Sequence, residues 1–413
     1  MILAASPSLP IDFVRSQFPA LDSYGTFLDN AGGSQILQSV INRVVDYWIS
    51  SNVQLGGAYA TSLKASDRFY AAIEDLAELI QAPDSRSLVF GNTASLLLRI
   101  LAHSLGQIWQ PGDEVIITNC DHEANISPWL DLQQQGIVVK TWPLNPETWR
   151  LRVEDLEPLV SDRTRLVACC HASNILGSIN PLPEIVQFAH DRNIKVCVDG
   201  VAYAPHHNLK LQDWDVDFYV FSFYKVFGTR QAILFARTEH LEDLPRFNHS
   251  FINTIPDKLQ PGGLSYDLIY GNLGVCDYLE ELGEQLGSFG KPFPELLEDC
   301  FQVISDHEQD LSQRCLDFLQ DTPQVNLVGL PHADPETRVS TIAFTVKDHS
   351  PAQIAEELAK AHLGIRHGNF YAPRLIESLG LNDQGGVIRI SLVHYNTQDE
   401  IDRLIEHLKK VLT

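Results

Sequence analysis

Basic charge is scarce in this sequence. Thirty lysines and arginines face 53 aspartates and glutamates, a formal net charge of -23. A surface of that sign repels nucleic acid and anionic membranes, so neither is expected as a partner. Long apolar runs are also missing. No stretch approaches the roughly 20 residues that cross a bilayer. The N-terminus, MILAASPSLP, has no basic region, and its apolar run is too short for a signal peptide. No C-x-x-C pair occurs among the seven cysteines, at 120, 169, 170, 197, 276, 300 and 315. Their number is odd, and three lie in apolar runs that read as buried strands. Reduced thiols in a cytoplasmic protein are expected, not a disulfide framework or a metal site. There is no repeat and no low-complexity segment. What is there is a chain of 413 residues, 44% hydrophobic and 20% charged, the balance of a globular protein with ample core.

From about residue 87 to 235 short apolar runs alternate with helical patterns. The runs are SLVF (87–90), EVIIT (114–118), VVKTW (138–142), RLVACC (165–170), KVCVD (195–199) and FYVFS (218–222). They are nearly continuous, as strands covered on both faces must be. The alternation predicts an α/β domain around a mostly parallel sheet. After about residue 295 the pattern changes to two strands (339–346 and 387–393) and three helices, a small α+β domain. Ser350 with Gln353, and Thr397 with Glu400, read as capping boxes. The stretch SFGKPFPE (288–295) marks the boundary. The expected division is 1–26, packing on the small domain, then 27–290 and 291–413.

Ligands of an open parallel sheet bind at the carboxyl ends of its strands. The polar residues there are Gly91-Asn92-Thr93, Asp121-His122, His171 to Asn174, Asp199, and Ser222 to Lys225. Singly, each has an ordinary reading. A lysine after a strand is usually a solvated cap, Asp199-Gly200 a turn, and His122 a loop histidine. As an ordered set they suit an aldehyde cofactor with a phosphate and a pyridine ring. A helix starting at Asn92 presents free N–H groups and a positive dipole end to a phosphate, with Thr93 and Ser222 as added donors. Asp199 suits a pyridine nitrogen. Lys225, among apolar neighbours, has the environment that lowers an amine's pKa for Schiff-base chemistry. His122 suits a place flat on the ring.

With these residues in view, the chain from about residue 12 onward resembles the class V aminotransferase family, and within it the SufS-type cysteine desulfurases. The matching segments are FLDNAGGSQ (27–35), DHEANISPW (121–129), HASNILGSINPL (171–182), VDGVAYAPH (198–206), FSFYKVFG (221–228) and RISLVHYNTQDEID (389–402). The resemblance implies a seven-stranded sheet of the fold type I class, pyridoxal 5'-phosphate as cofactor, and a homodimer. It makes Lys225 the Schiff-base lysine, Asp199 the pyridinium partner and His122 the stacking residue. Asn174 would meet the 3-hydroxyl, and Asn92, Thr93, Ser222 and Tyr224 would hold the phosphate. Arg389 would bind a substrate carboxylate, with Asn30 and Tyr371 also at the substrate.

Four positions depart from the desulfurase pattern. Tyr371 stands where desulfurases carry their cysteine, and a phenol cannot hold a persulfide. Ala202 replaces a glutamine, Tyr224 a histidine, and Gly263 the threonine that a partner subunit usually gives to the phosphate. The expectation is therefore an enzyme acting at the α-carbon of a small amino acid, an aminotransferase or a β-lyase. A desulfurase is the alternative, and a catalytically silent scaffold the alternative of another class. Tyr371 serves either as an acid or as a packing aromatic.

Overall fold

Seven apolar runs form one sheet: β1 (Leu88–Gly91), β2 (Glu114–Thr118), β3 (Val138–Trp142), β4 (Thr164–Cys170), β5 (Lys195–Asp199), β6 (Phe218–Ser222) and β7 (Ala232–Ala236). The structure is a computed structural model and describes residues 8–22 and 25–412. The strand order is β1-β7-β6-β5-β4-β2-β3. The five strands β2 to β6 pair in parallel. β7 lies antiparallel between β1 and β6. The sequence reading locates six of these strands; the seventh, β7, is the run AILFA. Successive residues feed separate cores on the two faces. Val115 and Ile117 join one apolar cluster, and Ile116 the other. That two-sided burial is why the strands show no polar alternation.

The helix Ala94–Gly106 covers one face. Thr93 is its N-cap and accepts a hydrogen bond from the Leu96 N–H. Leu97, Leu98, Leu101 and Leu105 are buried at helical spacing. At about 1.5–3 kcal/mol per fully buried leucine, that stripe fixes the helix to the sheet and aims its N-terminus at the strand ends.

Among the described residues, the main sheet of the small domain has four strands, two more than its sequence predicts. β8 (Val325–Val328), β9 (Thr341–Val346), β10 (Arg366–Gly368) and β11 (Val387–Ser391) form an antiparallel sheet in the order β10-β11-β9-β8. The two unpredicted strands are short edges: Arg366–Gly368 has no apolar side chain to mark it, and Val325–Val328, though mostly apolar, is only four residues long. Thr397 and Glu400 form their capping box. Ser350 is an N-cap by position, but its side chain makes no cap bond; Pro351 at N1 starts that helix.

The helix Phe293–Gln320 runs through the expected boundary region into both cores. Leu297 and Ile304 pack in the large core, and Leu311 and Leu319 in the small one. The N-terminal segment, of which residues 1–7, 23 and 24 lie outside the described set, bridges both domains. Phe18 meets Phe227 of one domain and Tyr395 of the other, at 5.5 and 4.8 Å between ring centres. Thr26–Phe27 pairs with Leu363–Gly364, and Leu28 sits in the small-domain core.

Candidate active site

A cavity of about 190 Å³ opens at the carboxyl ends of β1, β4, β5 and β6. Thr93, His122, Asn174, Asp199, Ser222, Tyr224 and Lys225 line it. The register explains the convergence. Gly91 and Ser222 both pair with Ala232, and Cys170 pairs with Asp199, so these ends form one shelf.

Lys225 is buried, and its amine makes no hydrogen bond or ion pair among the described residues. Burial, then the positive charge of Arg389, lower its pKa to about 8; Asp199 and Asp29 pull the other way. The backbone around it is pinned. The Ser34 hydroxyl donates to the Lys225 carbonyl at 3.0 Å and accepts from the Phe227 N–H at 3.0 Å.

Asp199 ends β5. One carboxylate oxygen accepts the Val201 N–H at 2.9 Å; the other has no protein partner among the described residues. Burial raises its pKa, opposed by that hydrogen bond and by Lys225. A cationic ring nitrogen would reverse the burial effect.

His122 is held by its own turn. Its Nδ1 accepts the Ala124 N–H at 3.0 Å, which leaves the neutral ring's proton on Nε2. Burial, then Lys225, lower its pKa to about 4, so it stays neutral near pH 7. Asn174 donates to the Phe370 carbonyl at 2.9 Å, and its Oδ1 is a buried acceptor with no partner. Its turn requires glycine at 177, where φ is +71° and a Cβ would stand 2.3 Å from the Thr341 carbonyl oxygen. An unsatisfied acceptor, a free amine and a half-free carboxylate on one wall fit the polar rim of a pyridoxal ring.

Other expectations shift. Asn92 is exposed and outside the wall, because the helix is capped at Thr93; Ala94 and Ser95 are wall residues instead. Asn30 is not part of the cavity wall. Its amide donates to the Phe27 and Ser391 carbonyls, its oxygen accepts from Tyr395, and it ties the N-terminal segment to the small domain. Arg389 is also off the wall and already engaged. Its guanidinium donates to Asp29 at 2.6 Å and to the Asn174 carbonyl at 3.0 Å, with the Phe370 ring 3.9 Å from its centre. Burial lowers its pKa, opposed by Asp29.

Phe370 and Tyr371 both have positive φ, 47° and 59°. Two adjacent non-glycine residues in that region are strained, and neighbouring bonds hold them. Besides the Asn174 bond, the Tyr371 carbonyl accepts the Glu123 N–H at 2.7 Å. The Tyr371 side chain is 68% exposed, its ring 5.4 Å from that of His122.

Sequence reading missed two contributors, Arg230 and Asp29, and gave a third, Asp121, no role. Arg230 lines the cavity. It precedes the unread β7, and that strand would have pointed to it. Asp29 partners Arg389. Asp121, buried with its pKa raised to about 6, accepts from Asn125 and from the Cys170 N–H and so braces the His122 turn. Cys120, Asp121 and Cys170 lie close together, but these hydrogen bonds already engage the carboxylate.

The pattern of the class-V aminotransferase family matches residues 26–283 and 295–404. The chain belongs to that family. It is 39% identical to an aminotransferase-like protein, FGM3, of Gibberella zeae, over 99% of this chain and all of that protein. It is 30% identical to a cysteine desulfurase of Serratia proteamaculans, over 98% of each. Among solved structures, the cysteine desulfurase CsdA from Escherichia coli matches with a TM-score of 0.84 at 26% identity, over 98% of this chain and 99% of that one. The apo cysteine desulfurase from Thermococcus onnurineus NA1 matches at 0.86 and 22%, over 99% of each chain. Members of this family use pyridoxal phosphate, and this chain is a pyridoxal-phosphate enzyme of fold type I. Among the described residues, no helix is long and apolar enough to cross a membrane.

Proposed function

We propose that this enzyme acts at the α-carbon of a small amino acid, as an aminotransferase or a β-lyase. The observation that carries the reading is the free, buried amine of Lys225 on the same wall as Asp199 and Asn174, with Arg389 behind them. The bound cofactor supplies an electron sink for charge developing at the substrate's Cα. Lys225, neutral above about pH 8, takes the Cα proton on Nζ and returns it. Asp199 would hold the positive charge of the ring nitrogen, and His122, kept neutral by burial, would hold the face of the ring. Arg389 binds the substrate carboxylate once Phe370 leaves its face and the carboxylate competes with Asp29.

Desulfuration is the second reading, because cysteine desulfurases are among the relatives. Against it stands Tyr371 in the position of the thiol. All seven cysteines are buried. Cys170 touches the cavity, but its hydrogen bond with Cys120, then burial, push its thiol pKa up. A scaffold role has no use for a free buried lysine. A homodimer fits the exposed Trp48, Ile49, Tyr59, Leu63 and Tyr70 around the helices Gln38–Ser50 and Ala60–Leu79. Cytoplasmic residence agrees with seven unpaired cysteines.

The test is a panel of amino acids given to the loaded enzyme, with keto acid, ammonia and sulfide measured. Keto acid without ammonia marks transfer; keto acid with ammonia marks elimination. Sulfide or persulfide release that needs one of the seven cysteines would overturn the preference against desulfuration.

A further inference from the structure

Arg230 has no role in the reading above. We infer that Arg230 supplies the positive charge that binds the cofactor's phosphate, so that the strand ends of a single subunit provide this cation.

The register sets its position. Ala232 pairs with Gly91 on one side and Ser222 on the other, so the start of β7 lies between the ends of β1 and β6. Arg230 stands two residues before Ala232. The N-terminus of the helix Ala94–Gly106 opens at the same place, and Thr93, Ser95, Ser222 and Tyr224 share the wall. Hydroxyls, free helix N–H groups and a guanidinium converge there, as a phosphate dianion requires. Arg230 makes no ion pair or hydrogen bond among the described residues, although acidic residues far outnumber basic ones. Its guanidinium rests over the Tyr224 ring, 5.2 Å from the centre, which limits the directions it can take. The cavity's other arginine neighbour, Arg389, is tied to Asp29 and Asn174.

The inference rests on the cavity being the pyridoxal-phosphate site. It is tested on the full-length apo-protein by spectroscopic titration with pyridoxal phosphate and with pyridoxal, which lacks the phosphate. Arg230→Gln should weaken pyridoxal phosphate by about 10- to 100-fold and leave pyridoxal unchanged. Inorganic phosphate should compete with pyridoxal phosphate in the wild type and lose that effect in the variant; Arg230→Lys should restore part of it. Arg230 is exposed, so the melting temperature should not move. An unchanged affinity for pyridoxal phosphate, or an equal loss for both ligands, overturns the inference. So does an Arg230→Gln enzyme that keeps its cofactor but loses only affinity for acidic amino acids, since the cation would then serve the substrate. If wild-type protein takes up neither ligand, the cofactor reading fails with it.

Discussion

The two ends of the cavity are built by opposite means. At the end beside Thr93 and Ser222, strand register and a capped helix fix the donors, and Arg230 is left without an acid. At the end beside Asn174, a small-domain loop does the work. There Arg389 is satisfied by Asp29 and covered by Phe370, and the loop holds two strained residues. The first end is rigid and open; the second is closed upon itself. Regular structure builds the first end, and the loop that bears Tyr371, one of the four departures from the desulfurase pattern, covers the second.

Mutations separate the two. Lys225→Ala joins neither end and should have the largest effect: loss of turnover and of the visible absorbance band that borohydride bleaches in the wild type. At the closed end, Arg389→Lys keeps the charge and loses the fork. It should lower kcat/KM by about 100-fold with cofactor affinity unchanged. A fall in cofactor affinity instead would erase the distinction. Gly177→Ala should cost about 1–3 kcal/mol in a chemical melt, because a β-carbon meets the Thr341 carbonyl across the domain junction. Tyr371→Phe should lower kcat by about tenfold with KM unchanged if its hydroxyl delivers a proton. No change would reduce it to a packing aromatic.

The smallest effect is electrostatic and couples the ends. Lys225 attacks aldehydes as the neutral amine. Its reaction with pyridoxal phosphate should rise about tenfold per pH unit and level off above about pH 8. Arg389→Met removes a nearby positive charge that lowers the lysine's pKa, so the plateau should move to higher pH. A plateau that stays in place would mean burial alone sets it.

The sequence showed the rigid end more fully than the closed one. Continuous apolar runs gave six of the seven large-sheet strands, and polar residues at their ends gave most of the wall. Arg230 escaped because β7 went unread. At the closed end, Phe370 carries no polar group, and Asp29 lies far along the chain from Arg389, so nothing local marked their contacts. Asn30 looked like a site residue because its segment matches the family, but its hydrogen bonds are internal. Periodicity reports what faces a core; it does not report which polar groups have already found partners.

The antiparallel β7 also bears on the order of folding. Its pairing with β1 joins two segments far apart in the chain, and non-local pairings of that kind form slowly. Until Ala232 lies beside Gly91 and Ser222, Arg230 has no fixed place at the cavity. A chain still emerging from the ribosome therefore cannot present this cation until β7 has been made and inserted. On that basis, tight uptake of pyridoxal phosphate reports that β7 has taken its place between β1 and β6.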